Sequence, residues 1–487
     1  MAARDSAAIA GGVSEATLVD RAGGAVARGA RHLLGGAYGR RVVVVCGKGN
    51  NGADGRIAGR RLADWGARVD RFDLATFERP RFDRSLGRAD LAVDAMFGTG
   101  FRGPLEGDAA FAAEALCAAP CAVLAVDIPS GVDGLTGAVR GPAVEAEATV
   151  CLAALKPGLV FYPGAALAGA VHVAPIYLGT PRSPGGIDPC ALDPCAPAPS
   201  LGVTEEVDVA AWLPRRGYES HKWSVGGVFV VGGSQGMTGA AMLAGRAALR
   251  AGAGIVVAGL PGDAARAASG SEVITRSLPA TAGGALDEDA AKEVLDGLDR
   301  FRALILGPGL GQAPPTVAAV RRLVAEAPVP LILDADGLNA LGGDLDLLAS
   351  RPAATVVTPH AGEYARLAGE PVGEDRVAAA RRLAERSGAV VLLKGSRTVV
   401  ADPTGRAAVS LTGGPWLATA GTGDVLSGIV GALAALGLSA FRAATAGAWI
   451  HGRAGELHQA SPWHAGLVAG DLIDALPSVL ARLGPKL

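Results

Sequence analysis

Hydrophobic positions in this chain fall into short β-branched runs that alternate with longer Ala/Leu-rich stretches, and most of the runs end in a glycine-rich turn. Arg41-Val-Val-Val-Val-Cys46 is apolar at every interior position, as a strand covered on both faces would be, and Leu91-Ala-Val-Asp94 and Val123-Leu-Ala-Val-Asp127 follow the same plan. A helix is predicted from Ile57 to Trp65. Further strands are predicted just before the Gly/Ser turn that starts at Gly232, and at Ala303–Leu306, Leu331–Leu333, Thr355–Val357 and Val390–Leu393, with a helix from Met242 to Arg250. Strands and helices in alternation predict α/β domains with mostly parallel sheets. A Pro-rich stretch without apolar periodicity, 181–205, reads as a linker, which divides the chain into domains at 1–180 and 206–487. The uncharged run from Val425 to Phe441 is broken by glycines and shorter than the ~20 residues of a membrane span, so it reads as one buried helix.

Composition narrows the partners. With 45 basic and 47 acidic residues there is no electrostatic reason to expect nucleic acid, which leaves small molecules. No basic, apolar signal segment opens the chain. The six cysteines are scattered, with only Cys190 and Cys195 close together, so a reducing cytoplasm is expected and a disulfide framework is not. Arginine outnumbers lysine 39 to 6, and four of the lysines (Lys48, Lys156, Lys222, Lys394) lie in turn motifs. An ammonium is a compact charge that a guanidinium does not replace at a tight phosphate or carbonyl site, although so small a number also admits chance.

Candidate chemistry sits at the strand ends. Gly421-Thr-Gly-Asp424 opens an apolar helix, so free backbone N–H groups and the positive helix end converge beside a carboxylate. That combination suits phosphoryl transfer to a hydroxyl, with Asp424 accepting the proton, while a plain helix cap is the alternative. In the first half, Gly47-Lys-Gly-Asn-Asn-Gly-Ala-Asp-Gly55 follows a buried strand, and Asp94 and Asp127 each end a strand before a Gly-containing loop. Open α/β sheets bind ligands at that edge. In the second half, successive strand ends carry Gly307-Pro-Gly-Leu-Gly311, Asp334-Ala-Asp-Gly-Leu-Asn339, Thr358-Pro-His-Ala-Gly-Glu363 and Leu392-Leu-Lys-Gly-Ser-Arg-Thr398, which implies one cleft for a large anionic ligand pair.

The run Gly-Lys-Gly-Asn-Asn-Gly-Ala-Asp, the Asp-Ala-Met-Phe-Gly-Thr-Gly loop, Asp-Ile-Pro-Ser-Gly and Leu-Lys-Pro-Gly together resemble the YjeF N-terminal domain, the NAD(P)H-hydrate epimerase family, a Rossmann-like three-layer αβα fold. The resemblance implies that the hydrated nucleotide contacts Asn50, Asn51, Gly52, Ala53 and Asp54, the loop Gly98, Thr99, Gly100, Phe101, Arg102, Gly103 and Pro104, and Asp127. It further implies a potassium ion on Asn51, Asp94 and Ser130, and an acid/base role for Asp127 in epimerisation at C6. Two departures are visible. Ala53 stands where the family usually has glycine, so a positive φ would be restricted there, and the amino-terminal segment lacks the usual acidic helix start.

Residues 206–487 resemble the ribokinase-like αβα fold and, within it, the ADP-dependent NAD(P)H-hydrate dehydratases, with Trp223 replacing the glycine usual after His-Lys. This implies hydrate contacts at Ala240, Gly309, His360 and Asp424, and ADP contacts at Lys394, Gly395, Ser396, Arg397, Thr398 and Gly423. Magnesium is expected with the nucleotide, while Asp334 and Asp336 are equally readable as turn acids, and His360 as a residue that orients its loop. The expected whole is a bifunctional repair enzyme acting on NADH and NADPH hydrates (NADHX and NADPHX) with ADP, potassium and magnesium, without nucleic acid or membrane, and as a homo-oligomer. The alternative is a vitamin or sugar kinase fused to a non-catalytic nucleotide-binding domain.

Overall fold

The computed structural model describes residues 9, 12–176, 200–268, 271–458 and 466–484, and the chain separates into two compact units, Met1–Arg182 and Ser183–Leu487. The pair Cys190 and Cys195 and most of the expected linker lie outside the described residues. The described cysteines, Cys46, Cys117, Cys121 and Cys151, are free thiols.

The first unit is built on six parallel strands, β1 (Arg41–Cys46), β2 (Arg68–Asp73), β3 (Leu91–Ala95), β4 (Ala122–Val126), β5 (Ala148–Leu152) and β6 (Ala170–Ala174), in the order β2-β1-β3-β4-β5-β6. Alternation along β1 sends Val42, Val44 and Cys46 into one apolar layer and Val43 and Val45 into the other, so both faces are covered. The strand order reverses between β1 and β3, which opens a crevice at their carboxyl ends.

Ten strands form the sheet of the second unit: β7 (Leu201–Thr204), β8 (Gly227–Val231), β9 (Ile255–Pro261), β10 (Ile274–Leu278), β11 (Ala303–Leu306), β12 (Leu331–Leu333), β13 (Thr355–Val357), β14 (Val390–Leu393), β15 (Thr398–Ala401) and β16 (Ala407–Ser410). Their order is β10-β9-β8-β11-β12-β13-β14-β15-β16-β7. The strands run parallel from β10 through β14, then β15 pairs antiparallel with both β14 and β16.

Helix Thr422–Ala435 packs against this sheet and against helix Thr238–Arg250. It is buried at every position from Val425 to Ala435. The approach is possible because small residues meet: Ala244 and Ala247 face Gly428, where a Cβ would fall 2.2 Å from the Ala244 carbonyl oxygen and 2.7 Å from the Ala247 Cβ. Gly431 stands equally close to the sheet, with Ile305 Cδ1 2.6 Å from where its Cβ would be.

Several expectations are corrected by the fold. The helix expected at Ile57–Trp65 begins at Asn50, and that expected at Met242 begins at Thr238, because in both cases a Gly/Asn- or Gly/Thr-containing run that reads as a turn forms the first helical turn. The run Val425–Phe441 is two helices, broken at Gly437 (φ 97°) and restarted at Ala440 by a Ser439 cap. The linker gives way before 205, since Leu201–Thr204 pairs with β16 as an edge strand. Ala53 lies within helix Asn50–Asp64 and not at a positive φ, so its methyl carries no conformational cost. The amino-terminal helix Glu15–Leu33 does have an acidic start, capped by Ser14 with Glu15 in its first turn. Trp223 replaces glycine without disruption, packing edge-on against Phe301 at 5.6 Å. No described helix is long and apolar enough to cross a membrane.

Gly428→Val should cost about 1–3 kcal/mol by forcing this helix pair apart, lowering the midpoint of urea unfolding. Gly470→Ala, in a helical position with open space around the glycine, should leave the midpoint unchanged or raised. Equal midpoints for the valine variant and the native chain would refute the close-packing account.

Candidate active sites

In the first unit, the carboxyl ends of β1, β3, β4 and β5 open into a cavity of about 840 Å³. Its lining includes Asn50, Asn51 and Asp54 from the first helical turn after β1, Gly98–Arg102 from the loop after β3, Asp127 after β4, and Lys48. Gly47 and Gly52 let these loops close on one another: a Cβ on Gly47 would stand 1.9 Å from the Met96 oxygen, and one on Gly52 1.9 Å from the Gly47 oxygen. Of the sequence-derived nucleotide contacts, Gly52 and Ala53, in helix Asn50–Asp64, and Gly103 and Pro104, in the loop after β3, do not line this cavity.

Asp127 is held in an uncommon backbone state, φ +68°, worth about 1–2 kcal/mol of strain for a residue with a Cβ. Its N–H donates to Val150 O (2.8 Å), and its Oδ1 accepts from Leu152 N (3.1 Å) and from the buried Lys156 ammonium. Its other oxygen faces the cavity. A Cβ placed on Gly98 would be 3.4 Å from both Asp127 Oδ2 and Asn51 Oδ1, so the two side chains flank one point over that glycine. Asp54 is buried beside them, and burial followed by the Asp127 charge pushes its carboxyl up to about 8, leaving it protonated near neutrality.

The three residues expected to hold potassium meet around the Phe97 peptide. Asn51 Nδ2 donates to Phe97 O (2.9 Å), and Phe97 N donates to Ser130 Oγ (3.0 Å). Ser130 in turn donates to Asp94 from Oγ (2.7 Å) and from its backbone N–H (2.8 Å). Asp94 is fully buried; burial pushes its carboxyl up to about 6 against the hydrogen bonds from Ser130 and Met96. No basic side chain among the described residues pairs with it in a salt bridge.

In the second unit, the site forms where the first turn of helix Thr422–Ala435 meets the ends of β12, β13 and β14. Thr422 Oγ1 donates back to Leu417 O and Thr419 O (both 2.9 Å), and Gly421 takes φ +87°, which sets the turn. The Gly423 and Asp424 N–H groups lie in the first turn, where no intrahelical carbonyl is available to them. His451 is fully buried beneath, its Nε2 2.9 Å from Thr422 O; burial lowers its pKa to about 4, so the ring is neutral and Nε2–H is the donor. Asp424 is half-buried, and burial, then the charge of Asp334, push its carboxyl up to about 7 against the opposing pull of Lys394.

Lys394 Nζ lies 2.9 Å from Asp334 Oδ1 and 3.6 Å from Glu363 Oε2, and 3.6 Å from where a Gly423 Cβ would stand. The Lys394–Thr398 turn joins β14 to β15; Gly395 and Ser396 are exposed, and Arg397 donates to Leu411 O (2.8 Å). Ala240 and Gly309 are adjacent, a Cβ on Gly309 being 3.2 Å from Ala240 Cβ. His360 takes the cap of helix Ala361–Ala368, with Nδ1 accepting from Gly362 N (3.0 Å) and Glu363 N (3.3 Å), so it orients its loop while its ring stays half-exposed. Asp336 is a turn acid, accepting from Gly311 N (2.8 Å) and Asn339 Nδ2 (3.3 Å). Among the described residues there is no cluster of three His, Cys, Asp or Glu suited to a metal.

Four residues of these sites have partners that the sequence does not announce. The sequence puts Lys156 in a turn motif without naming Asp127 as its partner, and Glu363, Ser427 and His451 become visible only when distant motifs meet. The one available signal was the scarcity of lysine in an arginine-rich chain, which points to Lys156 and Lys394.

A family model described as NAD(P)H-hydrate dehydratase matches residues 228–478, and one described as YjeF-related protein N-terminus matches 15–85 and 74–158. The chain is 40% identical over 494 residues to a bifunctional NAD(P)H-hydrate repair enzyme of Moorella thermoacetica, covering 93% of this chain and 90% of that one. It is 38% identical over 516 residues to the protein of the same name from Salinibacter ruber, covering 97% and 93%. It is also similar to the crystal structure of an ADP/ATP-dependent NAD(P)H-hydrate dehydratase from Bacillus subtilis co-crystallised with ATP and Mg2+, with a TM-score of 0.51 and 32% identity over 59% of this chain and 100% of that one. Two domain matches in the order of the two units, and relatives similar over nearly the whole length, make this chain a member of the bifunctional NAD(P)H-hydrate repair enzyme family.

Proposed function

We propose that the first unit interconverts the R and S hydrates of NADH and NADPH, and that the second dehydrates the S form with ADP as phosphoryl donor, giving AMP, phosphate and the reduced nucleotide. The observation that carries this reading is the second site, where a half-buried carboxylate and a lysine ammonium share the open first turn of one helix. Water is a poor leaving group near neutrality, whereas a phosphate ester departs readily with a push from the ring nitrogen. Asp424 would take the proton of the hydrate hydroxyl, and the Gly421–Asp424 amides would meet charge on the transferring phosphoryl group. The exposed Gly395 and Ser396, with Arg397 and Thr398, would receive the adenine nucleotide, and Ala240, Gly309 and His360 the hydrate.

Magnesium fits as an ion carried on the nucleotide phosphates and not in a protein cage, because Asp334 and Asp336 already spend their oxygens on protein donors. Its charge would neutralise the phosphates. In the first unit Asp127, aimed by Lys156 and Leu152 N, would act as acid/base at C6, with neutral Asp54 as a hydrogen-bond donor beside it. Asn51, Asp94 and Ser130 would hold a potassium ion: their side chains meet around the Phe97 peptide, Asp94 has no basic partner among the described residues, and the ion would share or replace the hydrogen bonds that Asp94 now accepts from Ser130 and Met96. The ion's charge would offset that carboxylate.

Purified protein given a mixture of R and S NADH hydrates with ADP, magnesium and potassium should restore the near-ultraviolet absorbance of the whole mixture. Recovery of the S fraction alone would remove the epimerase half of the proposal, and a stable phosphorylated product in place of reduced nucleotide would favour a kinase. Asp424→Asn should slow dehydration by about 10²–10⁴-fold, with epimerisation, followed by separating the two hydrates, left intact. Asp127→Asn should do the reverse. Because the Asp424 carboxyl is pushed up to about 7, its ionised form is lost as pH falls through that value, so kcat for dehydration should decline on the acid side of neutrality. A profile flat across neutrality would count against Asp424 as the base.

A further inference from the structure

Around the second site, four motifs far apart in the chain are tied into one network. Asp334 ends the segment after β12, Glu363 lies in the first turn of helix Ala361–Ala368, Lys394 follows β14, and Ser427 is one turn beyond Asp424 in helix Thr422–Ala435. Asp334 is fully buried and both of its oxygens are committed. Oδ1 accepts from Lys394 Nζ at 2.9 Å and from Ala335 N at 2.9 Å, and Oδ2 accepts from Ser427 Oγ at 2.6 Å.

The backbone is bent to produce this arrangement. Ala335, the next residue, takes φ 51° and ψ −119°, a conformation costly for a side chain with a Cβ. That twist separates the two acids of Asp334-Ala-Asp336: Asp336 serves the Gly311 loop, while Asp334 points to the lysine and the helix. Glu363 approaches the same ammonium at 3.6 Å and is itself held by His360 N at 2.8 Å.

We propose that Asp334 is the positioning residue of the phosphoryl-transfer site: locked by Ser427 on one oxygen, it grips Lys394 with the other and fixes the ammonium beside the Gly421–Asp424 turn, where the transferring group would sit. The proposal rests on the phosphoryl-transfer reading above. A long lysine chain left to itself would sample many rotamers or fall onto Asp424, whose charge it already feels; gripped by Asp334, it lies beside the turn without pairing with Asp424. The charges agree with this division of labour. Burial raises the Asp334 carboxyl, but Lys394 and the Ser427, Lys394 and Thr358 hydrogen bonds outweigh it and keep the group ionised. Lys394 likewise remains charged, since the attraction of Asp334 and Glu363 outweighs its burial.

A merely structural ion pair would predict a less stable protein with unchanged chemistry, so the test is kinetic. Asp334→Asn and Ser427→Ala are assayed in the full chain for dehydration, with release of phosphate followed alongside the reduced nucleotide and the far-ultraviolet circular dichroism and urea unfolding of each variant as the folding control. The charges acting on Asp424 are those of Asp334 and Lys394; Glu363 lies against Lys394, and the neutral His451 against the Thr422 carbonyl. Removing the Asp334 charge takes away a carboxylate that raises Asp424 and frees Lys394 to approach it, so both changes move the acid limb of the kcat profile to lower pH. Asp334→Asn is expected to lower kcat about 10²-fold with a smaller change in nucleotide KM and with that limb displaced. Ser427→Ala, which keeps every charge, is expected to lower kcat about tenfold with the limb in place.

Native kcat and an undisplaced limb in Asp334→Asn would overturn the proposal, as would native kcat in Ser427→Ala should the first variant fail to fold. If the native chain forms reduced nucleotide without consuming ADP or ATP, the phosphoryl-transfer reading falls and takes the proposal with it. Nucleotide consumption by the native chain, with unimpaired variants, would remove the positioning role alone.

Discussion

The distance between helix Thr422–Ala435 and its neighbours governs the second unit. At Gly428 and Gly431 there is no room for a side chain, so the helix lies tight against both helix Thr238–Arg250 and the sheet and its direction is not adjustable. Its first turn is thereby delivered to the ends of β12, β13 and β14, where Asp334, Glu363 and Lys394 emerge. A helix lying farther out would break the 2.6 Å contact of Ser427 with Asp334 and separate Gly423 from the lysine. Apolar packing of small residues therefore sets the geometry of a charged site.

The two units share a chemical theme with different wiring. In each, a carboxylate at the edge of a parallel sheet or the start of a helix works near a lysine. In the first, Lys156 binds Asp127 directly and uses up one oxygen, leaving the other over Gly98. In the second, Lys394 pairs with Asp334 and Glu363, and Asp424 is left out of the ion pair. Direct pairing fixes the direction of a carboxylate; indirect pairing leaves its charge less neutralised, as the roles proposed for Asp127 and Asp424 would require.

Much of this was legible in the sequence because the strand ends are punctuated by residues with few structural alternatives. Buried runs such as Arg41–Cys46 and Ala303–Leu306 read correctly as strands, and the Gly-rich segments expected after them do follow at their carboxyl ends. Helix starts at Asn50 and Thr238 were not legible, since Gly and Asn favour turns locally and only tertiary packing recruits them into a helix. Leu201–Thr204 was hidden for the opposite reason: four residues beside a Pro-rich stretch carry too little pattern to announce a strand. The partners of Lys156 and Asp334 were invisible because a hydrogen bond between residues 334 and 427 leaves no mark on either local sequence.

That edge strand bears on how the second unit can be separated from the first. β7 pairs in parallel with β16 from Leu201↔Ala407 to Thr204↔Ser410, and the carbonyl of Ser200 accepts hydrogen bonds from Ala407 N (2.7 Å) and Arg381 (2.6 Å). The last strand of the sheet is thus supplied by the first described segment of the unit. A gene cut at residue 206, where composition alone draws the border, would strip β16 of its outer neighbour and bare a row of unpaired amides and carbonyls. Such an edge invites pairing with another chain, so the insolubility of a fragment cut there would report a misplaced boundary and not a unit unable to fold by itself.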